Sequence, residues 1–183
     1  MCGYGPAGGD LLADQIAAGE PDAAVVILPP DTRPPAPLIG RVIAKADVAI
    51  VQSRRFPRVR APVRLAALAE EDWILNPIGC GYRARLECAM GERDGSLRIA
   101  VDTYGMEIQL RMVASGLGLG LVPRTALKSS VNREAVMVVE ATDFAMSLDI
   151  WLVHLKEFGN LKRAIDALAA TVSDGFARYA ATN

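Results

Sequence analysis

The sequence is poor in the groups on which most enzyme chemistry depends. Histidine occurs once, at His154, and cysteine three times, at Cys2, Cys80 and Cys88. A His-based triad or dyad would have to use His154, but no serine or cysteine sits in an elbow-like G-x-S-x-G motif. His154 lies in the apolar segment WLVHL and reads as a packed or edge histidine. Metal sites need clustered Cys, His or carboxylates. Cys80 and Cys88 lack a partner pair, so no metal, no cofactor and no enzymatic activity is expected. Cys80 falls at a helix start, where the positive end lowers a thiol pKa, and its plainer reading is an inert reduced thiol. An odd, sparse cysteine set favours a reducing compartment, most simply the cytoplasm. Charge of either sign is not in excess: 20 Lys and Arg stand against 21 Asp and Glu. Overall charge therefore advertises neither nucleic acid nor an anionic membrane. No apolar run approaches the ~20 residues of a membrane span, and no charged-then-apolar signal peptide opens the chain. Internal repeats and low-complexity tracts are also missing.

What is present is apolar and periodic. About half of the 183 residues are hydrophobic, enough for a core in one domain or two small lobes. The chain is organised around Leu97 to Arg124, LRIAVDTYGMEIQLRMVASGLGLGLVPR. Leu97, Ile99 and Val101 alternate with Arg98 and Ala100 as a short strand does. Asp102 or Thr103 then caps a helix whose stripe is Met106, Leu110, Val113 and Leu117. Gly116 and Gly118 stop that helix, and Leu119 to Val122 returns as a buried strand ended by Pro123. The run Gly116-Leu-Gly-Leu-Gly120 superficially resembles a dinucleotide loop, but the order is reversed. A phosphate loop leads from strand into helix, whereas here a helix leads into a strand. These glycines read as a C-cap plus close packing.

Before this unit, Met1 to Gly9 is glycine-rich and Asp10 to Ala18 reads as a short helix with Leu12 and Ile16 on one face. Ala23 to Leu28, AAVVIL, reads as a strand covered on both faces. Five prolines between Pro29 and Pro37 enforce an extended loop. Leu38 to Ile43 and Asp47 to Val51 read as two strands, Val63 to Ala69 as a short helix, and Trp73 to Leu75 as a strand. The run RRFPRVR, Arg54 to Arg60, is either a phosphate-binding patch or a solvated crossover between lobes, the latter being commoner. A turn at Asn76-Pro77-Ile78-Gly79 leads into a helix from Cys80 to Met90, with Tyr82, Leu86 and Ala89 as its stripe and Arg83–Glu87 as an i, i+4 pair. Val136 to Val139 and Leu148 to Val153 are strands. A last helix spans Leu161 to Tyr179, its buried face being Leu161, Ile165, Leu168, Val172 and Phe176.

Two strand-to-helix turns remain as candidate chemistry, Asn76 to Tyr82 and Asp102 to Gly105. In an open α/β sheet such turns lie at the carboxyl ends of the strands, where free N–H groups attract a carboxylate or similar anion. Asn76, Thr103 and Tyr104 can add directed hydrogen bonds. The residues alone fit ordinary capped helix starts equally well.

Taken in order, the segments LLADQIAAGEPDAAVVILPP, PLIGRVIAKADVAIVQSRRFP, VRLAALAEEDWILNPIGCGYRARLE, LRIAVDTYGMEIQLRMVASGLGLGLVPRTAL and LDIWLVHL resemble the effector-binding domain of LysR-type transcriptional regulators. The run V-A-S-G-L-G-L-G-L-V-P is the most specific part. The resemblance implies an α/β, type II periplasmic-binding-protein-like fold with two Rossmann-like lobes joined by two crossover strands. Lobe I would be Met1 to Lys45 plus Ser147 to Asn183, and lobe II Val51 to Glu140. The crossings would fall at Ala46 to Ile50 and Ala141 to Met146. A small-molecule effector, a carboxylate by the chemistry of the turns, would bind between the lobes. Its contacts would map to the turn after Leu28 (Leu28 and Pro29), to Asn76, Pro77, Ile78 and Gly79, and to Thr103 and Tyr104. Homo-oligomers would form through Tyr82 to Met90 and Leu97 to Val101.

The family's winged helix-turn-helix and linker helix have no counterpart here, so DNA would be reached only through that missing part. The effector domain's first β-α-β of lobe I is also without a counterpart. Such a unit takes about 30 residues, while Asp10 already opens the first helix. On this reading the chain is a fragment of a regulator or a truncated reading frame. A transport-type solute-binding protein of the same fold is the rival, and the lack of a signal peptide counts against it.

Overall fold

The computed structural model describes residues 15–181 except 17, 19, 29, 31, 61, 79, 80, 93, 94 and 156–158. Gln15 and Ile16 are helical, and the rest of the helix expected over Asp10 to Ala18 lies outside the described residues or, at Ala18, in a turn. The chain divides into two compact units: residues 47–146, and a second unit formed by the described residues before 47 together with those after 146. The chain passes between them twice, after Ala46 and after Met146.

Residues 47–146 build a mixed sheet. Strand β2 (Ile39–Ser53) enters it at Asp47. It pairs antiparallel with β5 (Leu119–Pro123) through Val48 to Val51, and with β6 (Val136–Val139) through Ile50 to Ser53. Strand β3 (Asp72–Leu75) lies parallel to β5 on one side and to β4 (Arg98–Asp102) on the other, which leaves β4 at the edge. Parallel neighbours need crossovers. Helix α1 (Gly81–Gly91) links β3 to β4, and α2 (Met106–Ala114) links β4 to β5. A short helix, α3 (Arg124–Ser129), follows Pro123. Leu110 and Val113 of α2 are fully buried against Ala49, Val51, Ile74 and Val122 of the sheet. Each such side chain contributes about 1.5–3 kcal/mol. Between them Gln109, also buried, donates from Nε2 to the carbonyls of Ile74 at 2.7 Å and Leu121 at 3.4 Å, tying the helix to β3 and β5.

The glycines after α2 do what their order suggests. Gly116 has φ of +83°, and its N–H and that of Leu117 bond back to Val113 and Met112. At Gly118 a Cβ would lie 2.5 Å from the backbone oxygen of Asp72, so only glycine lets β5 begin so close to β3.

The second unit is smaller. Strand β1 (Ala23–Leu28) pairs antiparallel with β7 (Met146–His154), and β2 lies on the other side of β7. Helix α4 (Lys162–Ala181) places Ile165 and Ala169 against Leu152, with Ala23 and Ile43 alongside. Ile16, Leu38 and Val153 form a second cluster that takes in Ala24, Val26 and Trp151.

Several expectations need correction. The two strands read over Leu38 to Val51 are one continuous β2, because neither Lys45 nor Asp47 breaks an extended backbone. Val63 to Ala69 contains a single 3-10 turn at Leu65–Leu68 rather than an α-helix. AAVVIL is an edge strand among the described residues, with Val25 44% exposed, rather than a strand covered on both faces. Helix α2 starts at Met106, with Gly105 as its N-cap and no side-chain capping bond, so neither Asp102 nor Thr103 caps it. Leu117 lies past its end and is exposed, and Gln109, which is not on the expected stripe, is buried with Leu110 and Val113. Leu161 and Leu168 of the last helical segment are exposed as well.

Candidate functional site

The two turns singled out by the sequence come together at the carboxyl ends of β3 and β4. Residues Leu75 and Asp102 are register partners. The Thr103 N–H donates to the Leu75 carbonyl at 2.9 Å, and Asn76 Nδ2 reaches the Thr103 carbonyl at 3.5 Å. Thr103 is buried, Asn76 and Pro77 are half-buried, and Ile78 and Tyr104 stand 78% and 82% exposed. Gly79 and Pro29 lie outside the described residues. Leu28 is buried at the end of β1, in the other unit. After Tyr104, Gly105 N-caps α2 and makes no side-chain capping bond. Glu107 in the first turn is already engaged, its Oε2 accepting from Ser130 Oγ and Asn132 Nδ2 at 2.9 and 3.0 Å. What these turns offer is a helix N-terminus without a side-chain cap, an exposed phenol and an exposed isoleucine. A helix N-terminus attracts negative charge, and the exposed side chains beside it are apolar or aromatic.

Arg83 fixes the two turns to each other. Its guanidinium donates to Asp102 Oδ1 at the end of β4, to the Asn76 carbonyl at 3.4 Å, and to Glu87 Oε1 at 2.7 Å. Burial works against its charge, but the hydrogen bond and attraction of Glu87, joined by those of Asp102, outweigh that, and its pKa is pushed up. The sequence showed only the i, i+4 pair with Glu87. The signal that goes further is position: Arg83, Leu86 and Met90 share one buried helical stripe with Ala89 beside it, and Tyr82 is only half-buried. A cation at an apolar position of a helix needs partners.

The basic run is exposed, as a solvated run is, but it is not a crossover. Arg54 donates to the carbonyls of Glu134 and Val136. Arg58 holds the carbonyls of Gly116 and Leu117 after α2 and pairs with Glu71 and Asp72. Arg55 stacks over Phe56 at 5.0 Å. Arg54 and Arg58 thus spend their donors on this unit's own loops, and the run lies wholly inside residues 47–146 rather than at a crossing.

His154 ends β7, half-buried, with Nδ1 2.6 Å from the Leu155 carbonyl. No group of three or more His, Cys, Asp or Glu able to hold a metal occurs among the described residues. Cys88 is disulfide-bonded, which the expectation of a reducing compartment from a sparse cysteine set did not foresee, and Cys80 lies outside the described residues. No helix among the described residues is long and apolar enough to cross a membrane.

Comparison with known proteins gives the family and the fold. The family model described as the LysR substrate binding domain matches residues 7–177. The HTH-type transcriptional regulator IlvR of Caulobacter vibrioides is 27% identical over 136 residues, which are 73% of this chain and 45% of that protein. The chain therefore spans less than half the length of this relative. Among solved structures, the CcmR regulatory domain of Synechocystis PCC6803 in complex with 2-PG superposes with a TM-score of 0.74 at 16% identity, covering 91% of this chain and 80% of that one. The sulfate-bound regulatory domain of the OxyR2 E204G mutant from Vibrio vulnificus gives 0.72 at 22% identity, covering 90% and 77%.

Proposed function

The chain belongs to the LysR substrate-binding domain family, and from that premise we propose that it is the effector-sensing and oligomerising part of a LysR-type transcription regulator. Its fold is the periplasmic-binding-protein-like one of LysR regulatory domains. The effector is a small anion, and the turns after β1, β3 and β4 are the parts of the chain that contact it. Lobe I is then Met1 to Lys45 with Ser147 to Asn183, lobe II Val51 to Glu140, and the crossings work as hinges. The observation that carries this reading is the pair of bonded turns with an uncapped α2 N-terminus beside Thr103. Among the structural neighbours, one regulatory domain is sulfate-bound and another is in complex with 2-PG, which supports a small-molecule effector. Oligomers form through α1 and the open edge of β4. DNA is contacted by a helix-turn-helix domain outside this chain, and the protein works in the cytoplasm.

Thermal melting of the chain against a set of small carboxylates tests the proposal. A ligand at 100 times its Kd stabilises the native state by about 2.7 kcal/mol. At least one carboxylate is expected to raise the midpoint, and substituting Thr103→Val is expected to weaken that shift. A set without effect, or tight sequence-specific binding of the isolated chain to promoter DNA, overturns it.

A further inference from the structure

In the second unit, Leu28 of β1 lies opposite Asp149 of β7, and Val26 lies opposite Trp151. Antiparallel register partners share a face of the sheet, so these four side chains stand together. Asp149 sits beside the carboxyl end of β1, the end at which α/β sheets take ligands. Yet Asp149 is only 7% exposed, and among the described residues neither its Oδ1 nor the buried Trp151 Nε1 has a hydrogen-bond partner. Lys45 Nζ stands 3.7 Å from Oδ1, beyond hydrogen-bond reach and on a side chain 71% exposed. Trp73 shows how this protein treats an ordinary core indole: its Nε1 donates to the Leu68 carbonyl at 3.2 Å. Buried polar atoms are almost always paired, and those that are not ask for a reason. A carboxylate oxygen can only accept and an indole N–H can only donate. The face therefore carries an acceptor and a donor on residues about 7 Å apart along one strand, neither of them hydrogen-bonded among the described residues, with Lys45 as the one ion-pair partner of Asp149 there.

We propose that Asp149, with Trp151 beside it, selects an effector that carries a hydrogen-bond donor, an ammonium or a hydroxyl, in addition to its carboxylate. The effector is then an amino acid or a hydroxy acid rather than a plain carboxylic acid. This inference rests on the reading of the Leu28 turn as a wall of the effector site. A ligand carboxylate is repelled by Asp149, so a donor is the group it accepts. Trp151 Nε1 takes an acceptor atom of the same ligand. The orphaned oxygen is the cost of that selectivity in the free protein, because a buried carboxylate without a donor destabilises it.

The test is calorimetric titration of the whole chain with three matched sets: alanine, lactate and propionate; phenylalanine, phenyllactate and phenylpropionate; glutamate, 2-hydroxyglutarate and glutarate. At least one amino or hydroxy member is expected to bind about tenfold or more tightly than its plain counterpart, as a hydrogen bond to a charged group implies. The two arms of each set tell ammonium from hydroxyl. Asp149→Asn is expected to melt no lower than the native chain and to bring the preferred ligand to within about threefold of its plain acid. Trp151→Phe, which keeps the packing, is expected to weaken the same ligand without restoring the plain one. Plain acids binding as tightly as their donor-bearing counterparts, or Asp149→Asn keeping the preference, overturns the proposal and leaves the effector reading standing. No binding by any of the nine overturns both.

Discussion

Replacing Arg83 by methionine removes a guanidinium and keeps most of the stem that packs beside Leu86 and Met90. Three acceptors lose their donor: Asp102 Oδ1, Glu87 Oε1 and the Asn76 carbonyl. A hydrogen bond to a charged group is worth about 1.5–3 kcal/mol when both partners are withdrawn from water. Here the carboxylate side chains are 53% exposed at Asp102 and 45% at Glu87, so water takes Arg83's place on each. Partly solvated pairs of this kind contribute roughly 0.5–1 kcal/mol, and the long bond to Asn76 adds little. The expected loss is therefore about 1–2 kcal/mol, or about 2–8 °C in melting midpoint for a chain of this size. Because Arg83 joins the ends of β3 and β4, the amides of Thr103 and Tyr104 are expected to lose more hydrogen-exchange protection than those of β5. A double-mutant cycle with Asp102→Asn isolates the pair, with an expected coupling of about 0.5–1 kcal/mol. Arg83→Lys keeps the charge but not the fork that serves three acceptors, and falls between. Arg83→Met within about 0.3 kcal/mol of the native chain, or additive behaviour in the cycle, refutes the role given to Arg83.

Gly118→Ala forces a Cβ to within 2.5 Å of the Asp72 oxygen, a backbone atom that cannot turn aside, and denaturant titration is expected to show a loss of about 1–3 kcal/mol. Gly116→Ala meets the movable Phe56 ring instead and costs the left-handed strain of about 1–2 kcal/mol. Leu110→Ala empties a fully buried position and is expected to cost about 2–5 kcal/mol in the same assay. The Asp72 carboxyl is held below its usual range by the hydrogen bond from Arg98, against burial, with the attraction of Arg98 and Arg58 adding to it. A depressed carboxylate stabilises the fold above its unfolded pKa and loses that contribution as pH falls through the lower folded value. Stability is thus expected to fall as pH drops through and below the ordinary aspartate range, and Asp72→Asn to flatten that part of a stability–pH curve.

The sequence showed the elements of the first unit well because their periods agree with their places. Arg98 to Asp102 alternates, Leu110 and Val113 face the sheet, and Gly116 and Gly118 sit where backbone geometry admits little else. The strand-end turns were legible for the same reason, since Asn76-Pro77 and Thr103-Tyr104 interrupt apolar runs. Partnerships made across sequence distance were not. The Arg58 side chain crosses 58 residues to cap α2, and Arg83 crosses 19 to hold Asp102. No local pattern tells a solvated arginine from one that stitches loops. The apolar string AAVVIL misled in the opposite direction: composition fits a central strand, while β1 has one neighbour among the described residues.

The distribution of satisfied and unsatisfied polar groups separates scaffold from site. Gln52 is fully buried, yet its amide donates to the Val59 carbonyl and its Oε1 accepts from the N–H groups of Arg58 and Val59. Ser53 donates to Ala114 and accepts from Phe56, and Gln109 holds two strands. Each of these groups would cost about 1–3 kcal/mol if left unpaired, and each is paired within its own unit. The groups left open are of another kind and in other places. Among the described residues, α2 has no side-chain cap at Gly105, and Asp149 Oδ1 and Trp151 Nε1 beside the end of β1 have no hydrogen-bond partner. A fold that pairs its structural polar groups through contacts as distant as these has the means to pair such groups too. Under the proposed function they are the groups that a small-molecule effector completes.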